Sequence, residues 1–200
     1  MITVNTDLHK KALSLSYFTV GYNIIEGIVS ILAASLSGSV ALLGFGLDSF
    51  VESFSGFIMI WRFKKKRMPQ EEERIEKRTV RLVAYTFFIL AFYVAFESIK
   101  KLYQFEASNP SILGIIIAIL SIIIMPVLSR MKYQTGKLLK SKSLIADSKE
   151  TLACAALSIA LLIGLGLNYF LGLWQADPVI GLVIAAFLIR EGYESFNGED

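Results

Sequence analysis

Four side chains in the sequence form two pairs, each separated by one helical turn. Asp48 and Glu52 are four residues apart, as are Glu150 and Cys154. Residues at i and i+4 lie on the same face of an α-helix. Carboxylates and a thiolate bind divalent transition metals, and four such groups from two facing helices could surround a metal tetrahedrally. The spacing therefore predicts a metal site, provided that the two segments are helices that face each other.

The two segments also align with each other. Residues 41–52 match residues 143–154 at a constant offset of 102, which is 150 minus 48 and also 154 minus 52. Only one aligned pair, Leu42/Leu144, is identical, but the pattern of small and polar residues agrees at Gly44/Ala146, Gly46/Ser148 and Ser49/Thr151. Paired motifs at corresponding positions are typical of a transporter built from repeats. The alignment places Asp147 opposite Phe45, outside the four, so Asp147 is a secondary ligand candidate and an alternative helix cap.

Composition places these segments in a membrane. Of the 200 residues, 54% are hydrophobic and only 18% are charged, whereas soluble domains carry roughly 25% charged residues. This balance argues against a soluble enzyme and against a disordered chain. No HExxH pattern, phosphate-binding loop or nucleophile beside a base occurs, so an enzyme is not expected. The basic residues lie beside apolar runs, which argues against a nucleic-acid partner.

Six segments are long and apolar enough to approach a membrane span, which needs ~20 residues. They lie at about 12–34, 40–63, 80–103, 111–128, 144–171 and 179–193. The runs show no strand-like alternation, so we predict an all-α membrane protein with a six-transmembrane-helix bundle. The sequence is interpreted as a single transmembrane domain over 1–200, since only about seven residues follow the sixth span and leave no room for a soluble C-terminal domain.

Lysine and arginine are concentrated on one predicted side. The connection between the second and third spans holds nine basic residues with its edges, and the connection between the fourth and fifth holds five. The other side has only Lys100 and Lys101. Because cytoplasmic loops carry more basic residues, we predict that both termini are cytoplasmic and that the protein is a multi-pass protein of the cell membrane.

Several residues predict how the spans begin, end and pack. Asn109 and Asp177 each precede a proline and are expected to cap the fourth and sixth helices. Pro126 is expected to kink or end the fourth helix, and Gly172 to form a turn after the fifth. Small residues in the second span predict close helix packing; they are Gly44, Gly46, Ser49, Ser53 and Gly56.

The predicted spans contain more acids than bases. A carboxylate in hydrocarbon is costly, so it normally faces a cavity, a partner or an ion pathway. The acids within or flanking the spans are Glu26, Asp48, Glu52, Glu97, Asp147, Glu150, Asp177 and Glu191. Lys149 is the one evident intramembrane cation in the sequence, and Arg190 adjoins Glu191. An acid-rich interior of this kind indicates a cation pathway.

The order of these motifs resembles the cation diffusion facilitator family. Ser37 to Leu43 followed by Asp48 and Glu52 is similar to the family's second span, and Ala146-Asp147 followed by Glu150 and Cys154 to its fifth. Residues 174–178, with the apolar helix after them, resemble the start of its sixth span. The resemblance covers about residues 13–196, and the combination of motifs is more specific than any one of them.

The resemblance implies a six-helix transporter that exports zinc or a related divalent metal from the cytoplasm, in exchange for protons, by alternating access. It places the transport site at Asp48, Glu52, Glu150 and Cys154, and it implies a homodimer. The family usually has histidine and aspartate, or two aspartates, where this chain has Glu150 and Cys154. The cytosolic domain found in most members has no counterpart in this sequence, so the resemblance implies a short member that dimerises through membrane helices alone.

The residue types narrow the choice of cargo. Calcium and magnesium prefer shells of oxygen alone, so a thiolate argues against them. Sulfur favours zinc or cadmium, while the carboxylates keep manganese, cobalt and iron as alternatives. Metal binding must release protons from the acids and the thiol, which gives proton exchange a physical basis. The metal and the protons are transported species, and no resident cofactor is expected.

Other interpretations stay open at this point. The chain could be a metal-binding sensor or accessory protein without turnover, or a transporter or channel for another cation in which Cys154 only fills space. A purely structural scaffold is the third alternative, in which Asp48 and Glu52 pair with Lys149 and with nearby hydroxyls.

Overall fold

The computed structural model describes the backbone of residues 2–64 and 69–197, and the side chains of residues 7–61, 64, 84–141, 143–194 and 196. The basic residues predicted between the second and third spans fall largely outside the described side chains. The described backbone forms six α-helices and confirms the all-α bundle. They are α1 (Ile2–Ser37), α2 (Val40–Lys64), α3 (Pro69–Gln104), α4 (Ile112–Leu139), α5 (Lys142–Leu171) and α6 (Ala176–Asn197).

Much of the bundle surface is apolar, while small and polar side chains lie among the apolar ones in its interior. Between Ile112 and Val127 the exposed large side chains of α4 are apolar, as with Ile116, Ile123 and Val127, whereas Gly114 and Ser121 face inward. Several buried hydroxyls bond back to the carbonyl one turn earlier, as Thr19 does to Leu15 at 2.9 Å. A helix that exposes apolar side chains over such a length is suited to contact with lipid.

Four helices in the described part of the chain are long and apolar enough to cross a membrane. These spans are Asp7–Ser37, Val40–Trp61, Ile112–Leu139 and Ser143–Leu171. The sequence predicts six spans; the described residues of α6 do not reach the same apolar standard, and the side chains in the first part of α3 lie outside the described residues. Charged residues at the ends of α6 shorten its apolar run; they are Asp177, Arg190, Glu191 and Glu194. The chain is a multi-pass membrane protein, and its orientation remains a prediction.

Close packing of α1 against α2 depends on two glycines that face each other. A Cβ atom on Gly46 would lie 2.9 Å from the Ser30 Cβ, and one on Gly27 would lie 2.9 Å from the Phe50 ring. Gly56 likewise approaches Val20. The small residues of α2 therefore allow close approach of its neighbours, as the sequence predicts. This helix packs against α1, α3, α5 and α6, which gives it a central position.

Two predictions about helix caps are wrong, and one about a helix end is confirmed. Helix α4 does not end at Pro126 but continues to Leu139, with the proline inside the helix. Its cap is Ser111, whose side chain accepts from the Gly114 amide, and not Asn109. Asp177 lies inside the first turn of α6 and does not cap that helix. Gly172 ends α5 with φ of 65°, as the sequence predicts.

Asp177 instead joins three chain segments at the end of the bundle opposite the termini. Its carboxylate accepts hydrogen bonds from the Ser39 hydroxyl, from the Val40 amide at 3.0 Å and from the Ser108 hydroxyl at 2.8 Å. Val40 is the first residue of α2, so Asp177 supplies the acceptor and negative charge that a helix N-terminus favours. The α1–α2 turn, the α3–α4 connection and α6 are held together by this fully buried carboxylate.

We expect Asp177→Ala to lower the stability of the bundle by roughly 3 kcal/mol, because it leaves buried donors without an acceptor. Thermal unfolding in detergent measures the loss. The matched control is Glu106→Ala, which removes an exposed carboxylate near the same end of the bundle. Equal melting temperatures for Asp177→Ala and the unmodified chain would contradict the assigned role.

Candidate metal centre

The four predicted ligands line one pocket in the half of the bundle nearer the termini. Asp48 and Glu52 come from α2, and Glu150 and Cys154 from α5. Asp48, Glu52 and Cys154 are at most 7% exposed. Both pairs face inward because each helix places i and i+4 on one face. The pocket is bounded by Phe87 of α3 and by Phe187 of α6.

A fourth carboxylate joins the four candidate ligands. Glu191 of α6 lines the same pocket, while its neighbour Arg190 points away and forms an exposed ion pair with Glu194 at 2.7 Å. The sequence placed Glu191 at the edge of the sixth span and set Arg190 beside it. Which of the two residues lines the pocket depends on which face of α6 turns inward. The only sequence feature that pointed to Glu191 was the surplus of acids over bases in the spans.

Hydrogen bonds between α2 and α5 hold two of the acids. The Glu150 carboxylate accepts from the Ser55 hydroxyl at 2.9 Å, which connects α5 to α2. The Glu52 Oε1 atom accepts from the Thr151 hydroxyl at 2.8 Å, which connects the same two helices again. Each predicted ligand pair is therefore tied to the opposite helix by a hydroxyl group.

Glu26 of α1 lies beside the site. It is buried, accepts a hydrogen bond from the Ser49 hydroxyl at 3.0 Å, and lies 4.0 Å from the Cys154 sulfur. Glu26 is not a pocket-lining residue, so it supports the packing of α1 against α2 and α5. The sequence left its role open between lining a path and bonding within the bundle, and the observed contacts favour the second.

Asp147, the secondary candidate, does not line the pocket. Its carboxylate forms a buried ion pair with Lys132 of α4 at 2.9 Å. The expectation that Lys149 is the intramembrane cation is wrong: Lys149 is exposed, and Lys132 is fully buried. The sequence placed Lys132 in a basic connection after the fourth span, but α4 extends past it and carries it into the bundle.

In the described part of the chain, no three cysteine, histidine, aspartate or glutamate side chains converge closely enough to hold a metal ion. The four candidates share a pocket without forming a closed coordination shell. Phe87, Phe187 and Val51 provide apolar walls around them. The site is thus an acid-lined pocket that could admit a cation.

Sequence comparison relates the chain to known membrane proteins. The sequence model of the cation efflux transmembrane domain matches residues 17–197. An uncharacterized transporter of Methanocaldococcus jannaschii is 25% identical in an alignment of 178 positions that covers 86% of this chain and 62% of that protein. Protein p34 of Rickettsia prowazekii is 26% identical in an alignment of 202 positions, gaps included, that covers 96% of this chain and 66% of that protein. An uncharacterized transporter of Synechocystis is 24% identical in an alignment of 166 positions that covers 80% of this chain and 54% of that protein. The chain thus spans between about half and two thirds of these relatives.

Proposed function

The chain belongs to the cation efflux family, and from this membership we propose that it exports a divalent transition metal, zinc first, from the cytoplasm. The observation that carries the proposal is the pocket between α2 and α5. It gathers Asp48, Glu52, Glu150 and Cys154, the four positions to which the resemblance assigns the family's transport site. The membership itself is based on the match over residues 17–197.

The charge of the pocket supports a cation as cargo. Four carboxylates and one thiol line it, and no basic side chain of the described residues does. A cleft that is lined by negatively charged side chains and has apolar walls concentrates cations. Acids buried at membrane depth without a base at their side are typical of ion pathways.

The donor types support zinc before harder metals. Three carboxylates with one thiolate form a mixed set, and sulfur ligands select zinc or cadmium over magnesium and calcium. Replacement of the family's usual histidine and aspartate by Glu150 and Cys154 keeps two donors on α5. Manganese, cobalt and iron are the alternative cargoes, because carboxylates also bind them.

The same donors support proton antiport. Carboxylic acids and a thiol must be deprotonated to bind a metal, so loading releases protons and unloading takes them up. Alternating access is proposed on the basis of the family. We propose a homodimer as well, on the basis of the family alone.

The test is metal flux into proteoliposomes. Zinc, cadmium, manganese, cobalt and iron are screened with and without a proton gradient, and Asp48→Asn is the inactive control. Gradient-sensitive flux of one metal would support export by antiport and would name the cargo. Absence of flux for every metal in folded, reconstituted protein would overturn the transporter and leave a binding or sensor protein.

Substitution of Cys154 tests whether its sulfur contributes to the choice of metal. We expect Cys154→Ser to weaken zinc and cadmium transport by about 10-fold and manganese much less, because a hydroxyl does not replace a thiolate toward late metals. Apparent affinities from the flux assay measure the change. Cys154→Asp serves as the companion variant, since it restores an anionic donor of oxygen type. Unchanged zinc and cadmium transport by Cys154→Ser would make the cysteine structural.

A further inference from the structure

A buried lysine lies behind the pocket and is connected to Glu52 through one hydroxyl group. Lys132 of α4 is fully buried and forms an ion pair with Asp147 of α5 at 2.9 Å. Its ammonium group also donates to the Thr151 hydroxyl at 2.8 Å. The same Thr151 oxygen lies 2.8 Å from Glu52 Oε1 on α2. Three helices therefore meet in one chain of polar contacts that ends at a pocket acid.

The single hydroxyl proton of Thr151 determines which way the hydrogen bonds run from Lys132 to Glu52. A threonine hydroxyl has one proton to donate and can accept with its lone pairs. Lys132 donates to Thr151, so the hydroxyl proton goes either to Glu52 Oε1 or to the Asp147 carbonyl oxygen at 3.0 Å. A hydrogen bond to a carboxylate is shorter and stronger than one to a neutral carbonyl. Thr151 is therefore oriented to donate to Glu52.

The hydrogen bond from Thr151 gives the two carboxylate oxygen atoms of Glu52 different surroundings. Oε1 is engaged by Thr151, whereas Oε2 is buried and has no hydrogen-bond partner among the described residues. Glu52 lines the pocket and is only 5% exposed. An uncompensated buried oxygen is costly, and a cation in the pocket would compensate it.

The ion pair with Asp147 neutralises the charge of Lys132, so that the lysine does not repel a cationic cargo. A lone ammonium group so close to the site would oppose a divalent cation. Asp147 is 3% exposed on its side chain and neutralises Lys132 at direct contact. The pair can therefore polarise and hold Thr151 without adding net positive charge beside the pocket. This arrangement also explains why Asp147 belongs behind the site and not in it.

We propose that Lys132, Asp147 and Thr151 are positioning residues that hold Glu52 with one oxygen presented to the transported cation. The inference depends on the proposed function, since it assigns how that site is prepared. Outer partners that orient a metal ligand commonly contribute 10–100-fold to metal affinity. The three residues act through Glu52 and do not touch the cargo themselves.

The test compares Thr151→Val with Thr151→Ser. Valine has nearly the shape of threonine but no hydroxyl, while serine keeps the hydroxyl and leaves the Lys132–Asp147 pair intact. For reconstituted protein we expect Thr151→Val to raise the KM of zinc flux and the Kd of zinc by about 10-fold or more, with the maximal rate little changed. Thr151→Ser should stay close to the unmodified chain. Thr151→Ala is measured in parallel, so that a valine variant that fails to fold does not end the experiment.

The possible results distinguish failure of the positioning role from failure of the proposed function. Unchanged zinc Kd in the folded hydroxyl-free variants, while the unmodified chain transports zinc, would overturn the positioning role and leave the proposed function intact. Lower thermal stability with the same Kd would show a purely structural hydroxyl and would also overturn it. If the unmodified chain neither binds nor moves zinc, the proposed zinc site fails, and the inference fails with it.

Discussion

Asp48→Asn is expected to abolish metal transport while the bundle stays folded. Asparagine keeps the size of the side chain but removes its negative charge, and an amide oxygen is a poor replacement for a carboxylate toward zinc. Asp48 is 7% exposed and lines the pocket between α2 and α5. We expect flux in proteoliposomes to fall by more than about 100-fold, beyond the range found when only an outer partner of a ligand is lost.

Glu97→Gln is the matched control for this loss. Glu97 is an acid of α3 whose partner, Lys100, lies 3.3 Å away, and it does not line the pocket. Its replacement removes the same charge from the same protein and should leave flux nearly unchanged. Normal flux by Asp48→Asn would show that the cation passes elsewhere. Equal losses in both variants would point to a general effect of charge on the protein.

Lys132→Met is expected to cause the largest loss of stability among single substitutions in the bundle. Methionine fills a similar volume, but it leaves the Asp147 carboxylate buried without its cation. Removal of one partner from a buried ion pair typically costs about 3–5 kcal/mol. The Thr151 hydroxyl also loses the donor that lies 2.8 Å from it. Thermal unfolding and monodispersity in detergent measure the effect.

The double variant Lys132→Met with Asp147→Asn tests the cause. If the penalty comes from an uncompensated charge, removal of both charges should restore much of the lost stability, and the two substitutions should be strongly non-additive. Stability of Lys132→Met equal to that of the unmodified chain would show that the pair contributes nothing. Additive losses would show that each side chain acts separately.

The helices and the ligand pairs were within reach of the sequence because they depend on local properties. Apolar length predicted α2 and α5 to within two residues at each end, 40–63 against Val40–Lys64 and 144–171 against Lys142–Leu171. The spacing of Asp48 to Glu52 and of Glu150 to Cys154 fixed a shared face on each helix. The resemblance to a family supplied the expectation that the two faces meet.

The errors arose where a contact joins residues distant in sequence. Lys149 was expected inside because it sits among the candidate ligands, yet helix rotation turns it outward. Lys132 was assigned to a connection because apolar length alone ended the fourth span near Pro126. In the structure α4 continues to Leu139, and packing against α5 allows it to bury a charge. Asp177 was assigned to its own helix, but it serves α2.

Hydrophobic length and the 3.6-residue repeat act within one segment, so the sequence alone was enough to identify a helical membrane protein, to locate its helices and to find two pairs of possible metal ligands. Three other relations needed the packed bundle: Glu191 joins the pocket, Asp147 pairs with Lys132, and Thr151 reaches Glu52. Those relations depend on how each helix is rotated against its neighbours, and packing across the whole bundle sets that rotation.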